Sequence, residues 1–258
     1  MADAEQKDPV RVLHLTDPHL FADKRRELRG VNTYDSLTEV LAHHRESGWP
    51  ADIVLATGDL VQDDSAGAYE HFAALMGELG VPVHCIPGNH DVPDLMRSAL
   101  ADGPFIYCDG VEIDDWLIVG IDSTAPGRAG GTITASELER LDADIDASDA
   151  RHVLVTVHHP PVSMGSRWLD TVGLENGAGL IERVRKSERV RLVLFGHVHQ
   201  AYDGHENGVA IVGTPSTCRQ FKPKSDEFAV DDRPPAYRRL SLHGNGQFDS
   251  QLVWIRDA

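Results

Sequence analysis

The chain has little cysteine: Cys85, Cys108 and Cys218 are three thiols in 258 residues, an odd number with no CxxC pair. That argues against a disulfide scaffold and for a reducing cytoplasm. Positive charge is also scarce. Lysine and arginine total 24 against 41 aspartates and glutamates, and only five of the 24 are lysines, so the formal net charge is -17. A surface that acidic repels polyphosphate backbones and anionic membranes at long range, so neither nucleic acid nor a membrane is an expected partner. The excess of arginine over lysine, with many aspartates, is a balance compatible with high salt. No apolar run approaches the roughly 20 residues that span a bilayer. Met1 to Pro9 carries neither a basic nor an apolar leader region, so a soluble, untargeted, cytoplasmic protein is expected.

What is present has ordinary globular proportions, 41% hydrophobic and 25% charged, in a length that suits one large α/β domain over 1–258. Val10 to Leu15 is a short, β-branched run that predicts a buried strand; a helix follows over Tyr34 to Glu46, then a strand over Asp52 to Ala56. Helix Ala66 to Leu79, strand Val83 to Ile86 and a short helix near Leu95 continue the alternation, which predicts a parallel sheet. Phe105 to Ile121 predicts a hairpin turning at Asp109-Gly110 and ending in the apolar strand Trp116 to Ile121. Helix Ser136 to Ile145, strand His152 to Val157, helix Leu180 to Lys186 and strand Val190 to Phe195 follow. Beyond about residue 200 the pattern is short strands with turn signals, Asn207-Gly208 among them, and Lys222 to Pro235 is the best candidate for a mobile loop. An all-β finish on an α/β body predicts two sheets face to face, flanked by helices.

Five short segments each follow an apolar strand and each carry hard or borderline metal ligands. They are Asp17-Pro18-His19, Gly58-Asp59, Gly88-Asn89-His90-Asp91, His158-His159-Pro160 and Gly196-His197-Val198-His199. Ligands of α/β sheets gather outside the carboxyl ends of the strands, where all five fall, so one site could collect them. Any one block alone is weak, since a strand-end aspartate is usually a cap or a turn former. Five in order are much harder to explain by unrelated turns.

The ordered set resembles the calcineurin-like metallophosphoesterases, whose signature runs D-x-H, G-D, G-N-H-D, H-x-P or similar, and G-H-x-H. Every block is present, and the resemblance spans nearly the whole chain. It implies an α/β four-layer αββα sandwich with two mixed β-sheets face to face. It also implies two metal ions, the first bound by Asp17, His19, Asp59 and His199 and the second by Asp59, Asn89, His158 and His197, with Asp59 bridging. Between His158 and His159, the earlier residue is expected to be the ligand and the later one to be outer or structural. The expected reaction is attack of a metal-bound hydroxide on phosphorus, since metals bring the pKa of water to about 7. His90 is expected to stabilise transition-state charge or protonate the leaving alkoxide, and Asp91 to orient His90 and raise its pKa. Substrate contacts are expected from His19, Asp59, Asn89, His90 and His199.

The flanks Thr16 to Phe21, Gly30 to Thr33, Ala56 to Leu60, Trp168 to Asp170, Thr214 to Cys218 and Gln220 to Pro223 resemble the class III cyclic nucleotide phosphodiesterases of bacteria that act on 3',5'-cyclic AMP. Hydrolysis of that small nucleotide to 5'-AMP is therefore expected. A broader phosphodiesterase or phosphomonoesterase is the alternative; a non-catalytic scaffold is disfavoured because every ligand-type position is present. Gly127 to Thr132 departs from the resemblance. Trp168 could stack on a base or pack, and Arg219 could reach phosphate or be solvated, with packing and solvation preferred. Iron and manganese suit the family, while zinc, cobalt and nickel accept the same ligands. The oligomeric state, monomer or homodimer, stays open. His14 reads as a hydrogen-bonded core residue, and His43, His44, His71, His84, His152, His205 and His243 match no ligand block.

Overall fold

The structure, a computed structural model, describes residues 8–206 and 208–255. Most of the Met1 to Pro9 leader reading and Asn207 of the expected turn therefore lie outside the described residues. The first half of the chain runs β1 (Val10–Leu15), β2 (Glu27–Leu28), β3 (Val31–Asn32), α1 (Thr33–Glu46), β4 (Ile53–Thr57), α2 (Ala66–Gly77), β5 (Val83–Ile86), α3 (Pro93–Ala99) and β6 (Phe105–Tyr107). Next come β7 (Val111–Ile113), β8 (Trp116–Ile121), α4 (Ala135–Ala147), β9 (His152–Val157), α5 (Arg167–Asp170), α6 (Gly177–Val184) and β10 (Val190–Phe195). The rest is strand: β11 (Tyr202–Glu206), β12 (Val209–Gly213), β13 (Gln220–Phe221), β14 (Val230–Asp231), β15 (Ala236–Leu242) and β16 (Phe248–Trp254).

Two six-stranded mixed sheets form, in the orders β16-β15-β1-β4-β5-β6 and β11-β12-β10-β9-β8-β7. In the first, β1, β4, β5 and β6 are parallel; in the second, β8, β9, β10 and β12 are. Side chains alternate across a strand, so the continuous apolar runs imply burial on both faces. In β1 and β4, Val10, Val12, Ile53 and Leu55 face inward to meet Leu154, Leu192 and Leu194 of the opposing sheet. On the other faces, Leu13, Leu15, Val54 and Ala56 pack under α1 and α2, and Val153, Val155, Val193 and Phe195 pack under α4 and α6. Helix, sheet, sheet and helix thus make the expected four layers. Each fully buried leucine, isoleucine or valine contributes on the order of 1.5–3 kcal/mol.

The helices begin where short polar side chains can cap them: Asn32 accepts from the Asp35 N–H, Ser65 from that of Ala68 and Thr134 from that of Glu137. One expectation fails. Phe105 to Ile121 is not a single hairpin turning at Asp109-Gly110. Phe105 and Tyr107 pair β6 with β5 in the first sheet, and the chain then crosses to the second, where β7 and β8 turn at Asp114-Asp115. A two-residue turn needs a left-handed residue, and Asp114, at φ 51°, supplies it. The apolar residues also part company: Phe105 and Tyr107 pack toward the helices beside the first sheet, whereas Val111 and Ile113 join the layer between the sheets. Helix α6 likewise starts earlier than expected, at Gly177, where Asn176 is tied to both backbone groups of Ile133.

Candidate metal centre

The five segments leave the carboxyl ends of β1, β4, β5, β9 and β10, and the loops interlock before their side chains meet. Asp17 N–H donates to the Gly58 carbonyl, His19 N–H to that of Asp59, and Gly196 N–H to that of His158. The His197 N–H crosses between the sheets to the Asp17 carboxylate at 3.0 Å. Asp17, His19, Asp59, His197 and His199 all adopt left-handed backbone, with φ between 48° and 66°. Such a conformation costs on the order of 1–2 kcal/mol for a side-chain-bearing residue, and clusters of this strain belong to sites that need their side chains aimed against local preference. The glycines before Asp59 and Asn89 have a steric purpose. A Cβ on Gly88 would collide with the Asp59 carboxylate and the His158 ring, and one on Gly58, itself at φ 91°, would collide with His158 and with the backbone of Gly88.

The side chains converge in four groups, one of which joins His158, His159 and His197. Ligand-type atoms of Asp17, His19 and His199 lie within 4.8 Å of one another, as do those of Asp17, Asp59 and His158, and those of His19, Asp59 and His90. Asp17 and Asp59 each belong to two of the four groups; Asp59 Oδ2 is 3.7 Å from His19 Nε2 and Oδ1 is 3.3 Å from His158 Nε2. Asn89 Oδ1 lies 2.9 Å from His197 Nδ1 and 3.3 Å from His158 Nε2. His199 Nε2 stands 3.1 Å from His19 Nε2 and 3.3 Å from Asp17 Oδ1.

Outward hydrogen bonds decide which ring nitrogens carry lone pairs. His199 donates its Nδ1–H to the Arg219 carbonyl, and His158 donates its Nδ1–H to the Thr57 carbonyl at 2.7 Å. In the neutral rings both Nε2 atoms then offer lone pairs toward carboxylate and amide oxygens, which themselves only accept. Acceptors facing acceptors away from water repel unless a proton or a metal cation stands among them. Ligand atoms held about 2.0–2.2 Å from one ion fall at separations like those seen here, so the donor set fits metal ions. His159 differs: Nδ1 meets Ser123 Oγ at 2.8 Å and Nε2–H donates to the Ala129 carbonyl at 3.2 Å, so both nitrogens are engaged away from Asp59.

Charge is distributed to match. Burial opposes the His158 imidazolium, yet the Asp59 carboxylate, helped by Asp17, raises its pKa to about 9, so without a metal ion a proton on Nε2 faces Asp59, and that proton must leave for the ring to become a ligand. Burial dominates at His19 and His197, both lowered to about 3. Burial also works against the Asp59 anion, but the facing His158, His19 and His90 hold its pKa well below the usual carboxylate range.

His90 sits at the partly open rim, with its ring in an edge contact to His19 at 5.1 Å and its backbone N–H donating to Asp59 Oδ1 at 2.8 Å. The expected pairing of Asp91 with His90 is not the one formed. The Asp91 carboxylate instead accepts from the N–H groups of Gly88, Leu60 and Val61 and from the Tyr69 hydroxyl, fastening the loops after β4 and β5 together. Burial, with Asp59, pushes its carboxyl up to about 7. The partner of His90 Nδ1 is the Gln62 amide at 3.0 Å, a residue outside every signature block and invisible to motif reasoning. Trp168 packs edge-on against Phe221 and Phe228, and Phe221 stacks on His199 with ring centres 4.1 Å apart. The Arg219 guanidinium pairs with Asp232 at 3.2 Å.

Fold and centre define a class of phosphoester-cleaving metalloprotein, and the comparisons agree. The sequence profile described as Calcineurin-like phosphoesterase matches residues 10–201, and the chain belongs to that family. It is 39% identical over 249 residues to the 3',5'-cyclic adenosine monophosphate phosphodiesterase CpdA of Escherichia coli K12, covering 96% of this chain and 90% of that one. It is 35% identical over 248 residues to the protein of the same name from Pseudomonas aeruginosa, covering 96% and 91%. In fold it is similar to a dimetal phosphatase from Danio rerio, with TM-score 0.67 and 16% identity over 96% of this chain and 100% of that one.

Proposed function

We propose that this chain hydrolyses 3',5'-cyclic AMP to 5'-AMP at a dinuclear metal centre. The observation that carries the reading is the convergence of buried carboxylates and imidazoles from two sheets, in a chain whose relatives are named for that activity. Asp17, His19, Asp59 and His199 would hold one ion; Asp59, Asn89, His158 and His197 the other, with Asp59 shared. His158 is preferred over His159 because its Nε2 faces Asp59 and Asn89, whereas His159 uses both nitrogens elsewhere. Bound cations supply Lewis acidity, which activates water and takes up charge on phosphoryl oxygens.

The protein's own contribution is to hold the phosphate and offset the charge that develops on its oxygens. The Gln62 Nε2–H donates to His90 Nδ1, which leaves the proton of a neutral His90 on Nε2. From the partly open rim that N–H can hydrogen-bond a phosphoryl oxygen and the ribose O3', offsetting the charge that develops there as the P–O3' bond breaks and the water oxygen joins phosphorus; the proton that O3' takes up is the one the attacking water gives up. Asn89 and the imidazoles of His19 and His199 line the side toward the phosphate. Iron or manganese suits this mixed oxygen and nitrogen set, and zinc, cobalt and nickel are compatible with it. A small, singly charged substrate also suits an acidic chain, because only the local centre need attract it. The three cysteines are free and buried, which favours a reducing cytoplasm; no helix among the described residues is long and apolar enough to cross a membrane.

The test is metal analysis of the purified protein with a rate panel of cyclic AMP, cyclic GMP, 2',3'-cyclic nucleotides and glycerophosphodiesters, before and after chelation. Two ions per chain and cyclic AMP cleaved fastest, with the rate lost on chelation, is the expected result. Faster cleavage of the other esters would replace it with the broader phosphodiesterase reading.

A further inference from the structure

Between the sheets, the apolar layer gives way near the metal centre to a row of polar residues that no signature block contains. His14 and Arg238 are direct cross-strand partners on β1 and β15. With Thr16, Thr57 and Thr214 they are no more than 2% exposed. Each is linked to the next. Arg238 Nε–H donates to Thr214 Oγ1 at 3.3 Å, and Thr214 Oγ1 meets His14 Nδ1 at 2.8 Å. His14 Nε2 meets Thr57 Oγ1 at 2.9 Å, Thr57 Oγ1 donates to Thr16 Oγ1 at 2.9 Å, and Thr16 Oγ1 donates to Asp17 Oδ2 at 2.6 Å.

The direction of every bond follows from its two ends. A guanidinium only donates and a carboxylate only accepts. Thr214, accepting from Arg238, turns its hydroxyl proton to His14 Nδ1; the ring then carries its proton on Nε2 and gives it to Thr57, which donates onward. All donors point toward Asp17. The cationic end is fully engaged, since the other four guanidinium N–H groups go to the two Asp203 oxygens, Ser250 Oγ and the Gly213 carbonyl. Burial, reinforced by Arg238, lowers the His14 pKa to about 3 and keeps the ring neutral.

We infer that this one-way chain positions Asp17 for its metal ion, with His14 as the central positioning residue. The inference rests on the proposed role of Asp17 as a ligand. Oδ2 is held by Thr16 and by the His197 N–H, which Oδ1 shares at 3.2 Å, and this sets Oδ1 toward His199 at 3.3 Å and His19 at 3.9 Å. The chain also connects the centre to the surface, because the Asp203 side chain is 62% exposed. Partners beyond the ligand shell orient ligands and tune their affinity; here they come from strands β1, β4 and β15 and the segment after β12.

The experiment is calorimetric titration of chelator-stripped protein with Mn2+, read without turnover. Thr57→Val is close to isosteric and breaks the chain at its middle; it is expected to weaken Mn2+ binding roughly tenfold or more. At saturating Mn2+ its KM for cyclic AMP should stay that of the wild type. His14→Phe should weaken binding similarly, while His14→Gln, with a donor and an acceptor of its own, should restore most of the affinity. Wild-type affinity in Thr57→Val, or equal weakening by His14→Gln and His14→Phe, would overturn the positioning role. Failure of the wild-type protein to bind Mn2+ would instead overturn the metal reading of Asp17, and the role of the chain with it. Failure to cleave cyclic AMP would leave these binding results intact.

Discussion

The two sheets bring unlike chemistry to their meeting point. Loops after β1, β4 and β5 of the first carry both carboxylates, Asp17 and Asp59, with the Asn89 amide and two imidazoles, His19 and His90. Loops after β9 and β10 of the second carry imidazoles alone: His158, His197 and His199. The difference teaches a division of work. The first sheet holds the negative charge, while the second holds imidazoles, of which His158 and His199 are oriented by outward bonds to the Thr57 and Arg219 carbonyls so that each Nε2 faces the carboxylates. Ions at this junction would join the two layers, so catalysis and cohesion of the sandwich should respond to the same residues.

The largest effect should come from Asp59, the group proposed to be shared by both metal positions. Loss of a partner outside the ligand shell already costs about 10–100-fold in metal affinity, so Asp59→Asn should lose more than that, seen as depleted metal in elemental analysis together with abolished turnover. On the same sheet but outside the proposed ligand set, His90→Ala should lower turnover by roughly 10²–10⁴-fold with metal content unchanged. Depleted metal in that variant would make His90 a ligand. The second sheet offers a finer contrast: His158→Ala should lose about half the metal, while His159→Ala should keep both ions because its nitrogens bond Ser123 and Ala129. Equal losses from the pair would erase the distinction.

Cohesion gives smaller effects. Ions that bind only the folded chain stabilise it by about 2.7 kcal/mol at a hundredfold excess over Kd, so chelation should lower Tm, and Asp59→Asn should abolish the difference. An unchanged Tm would mean that no ion ties the sheets together. The smallest effect concerns protons far from the centre. Burial lowers the His84 pKa to about 4, where its Nε2–H donates to the Asp109 carbonyl. Between pH 4 and the ordinary value of 6.5 the unfolded chain binds the extra proton, so stability rises with pH through this window and is complete above it. Urea midpoints at pH 5 and 7 should differ less in His84→Gln than in the wild type.

Much of the sandwich was legible because its central strands are buried on both faces and so read as short apolar runs, each ending in a glycine or a polar block. The ordered blocks from Asp17 to His199 led to the family, and the loops carrying them do meet. What was hidden depends on pairing between distant strands. The run from Phe105 to Ile121 looks like one hairpin, yet its two ends serve different sheets, a choice made by packing partners and by the left-handed Asp114. Asp91 looked like the neighbour that orients His90, but adjacent residues in a tight turn point apart. Its carboxylate meets backbone N–H groups, and Gln62 reaches His90 from another loop. His14 was legible as a hydrogen-bonded core residue, but the chain through it was not, because only the pairing of β1 with β15 sets His14 beside Arg238.

The most direct test of the junction is electron paramagnetic resonance of the Mn2+-loaded protein. Two ions sharing the Asp59 carboxylate should give an exchange-coupled multiline spectrum at two equivalents of Mn2+ per chain. An isolated six-line spectrum that saturates at one equivalent would contradict a dinuclear centre built between the two sheets.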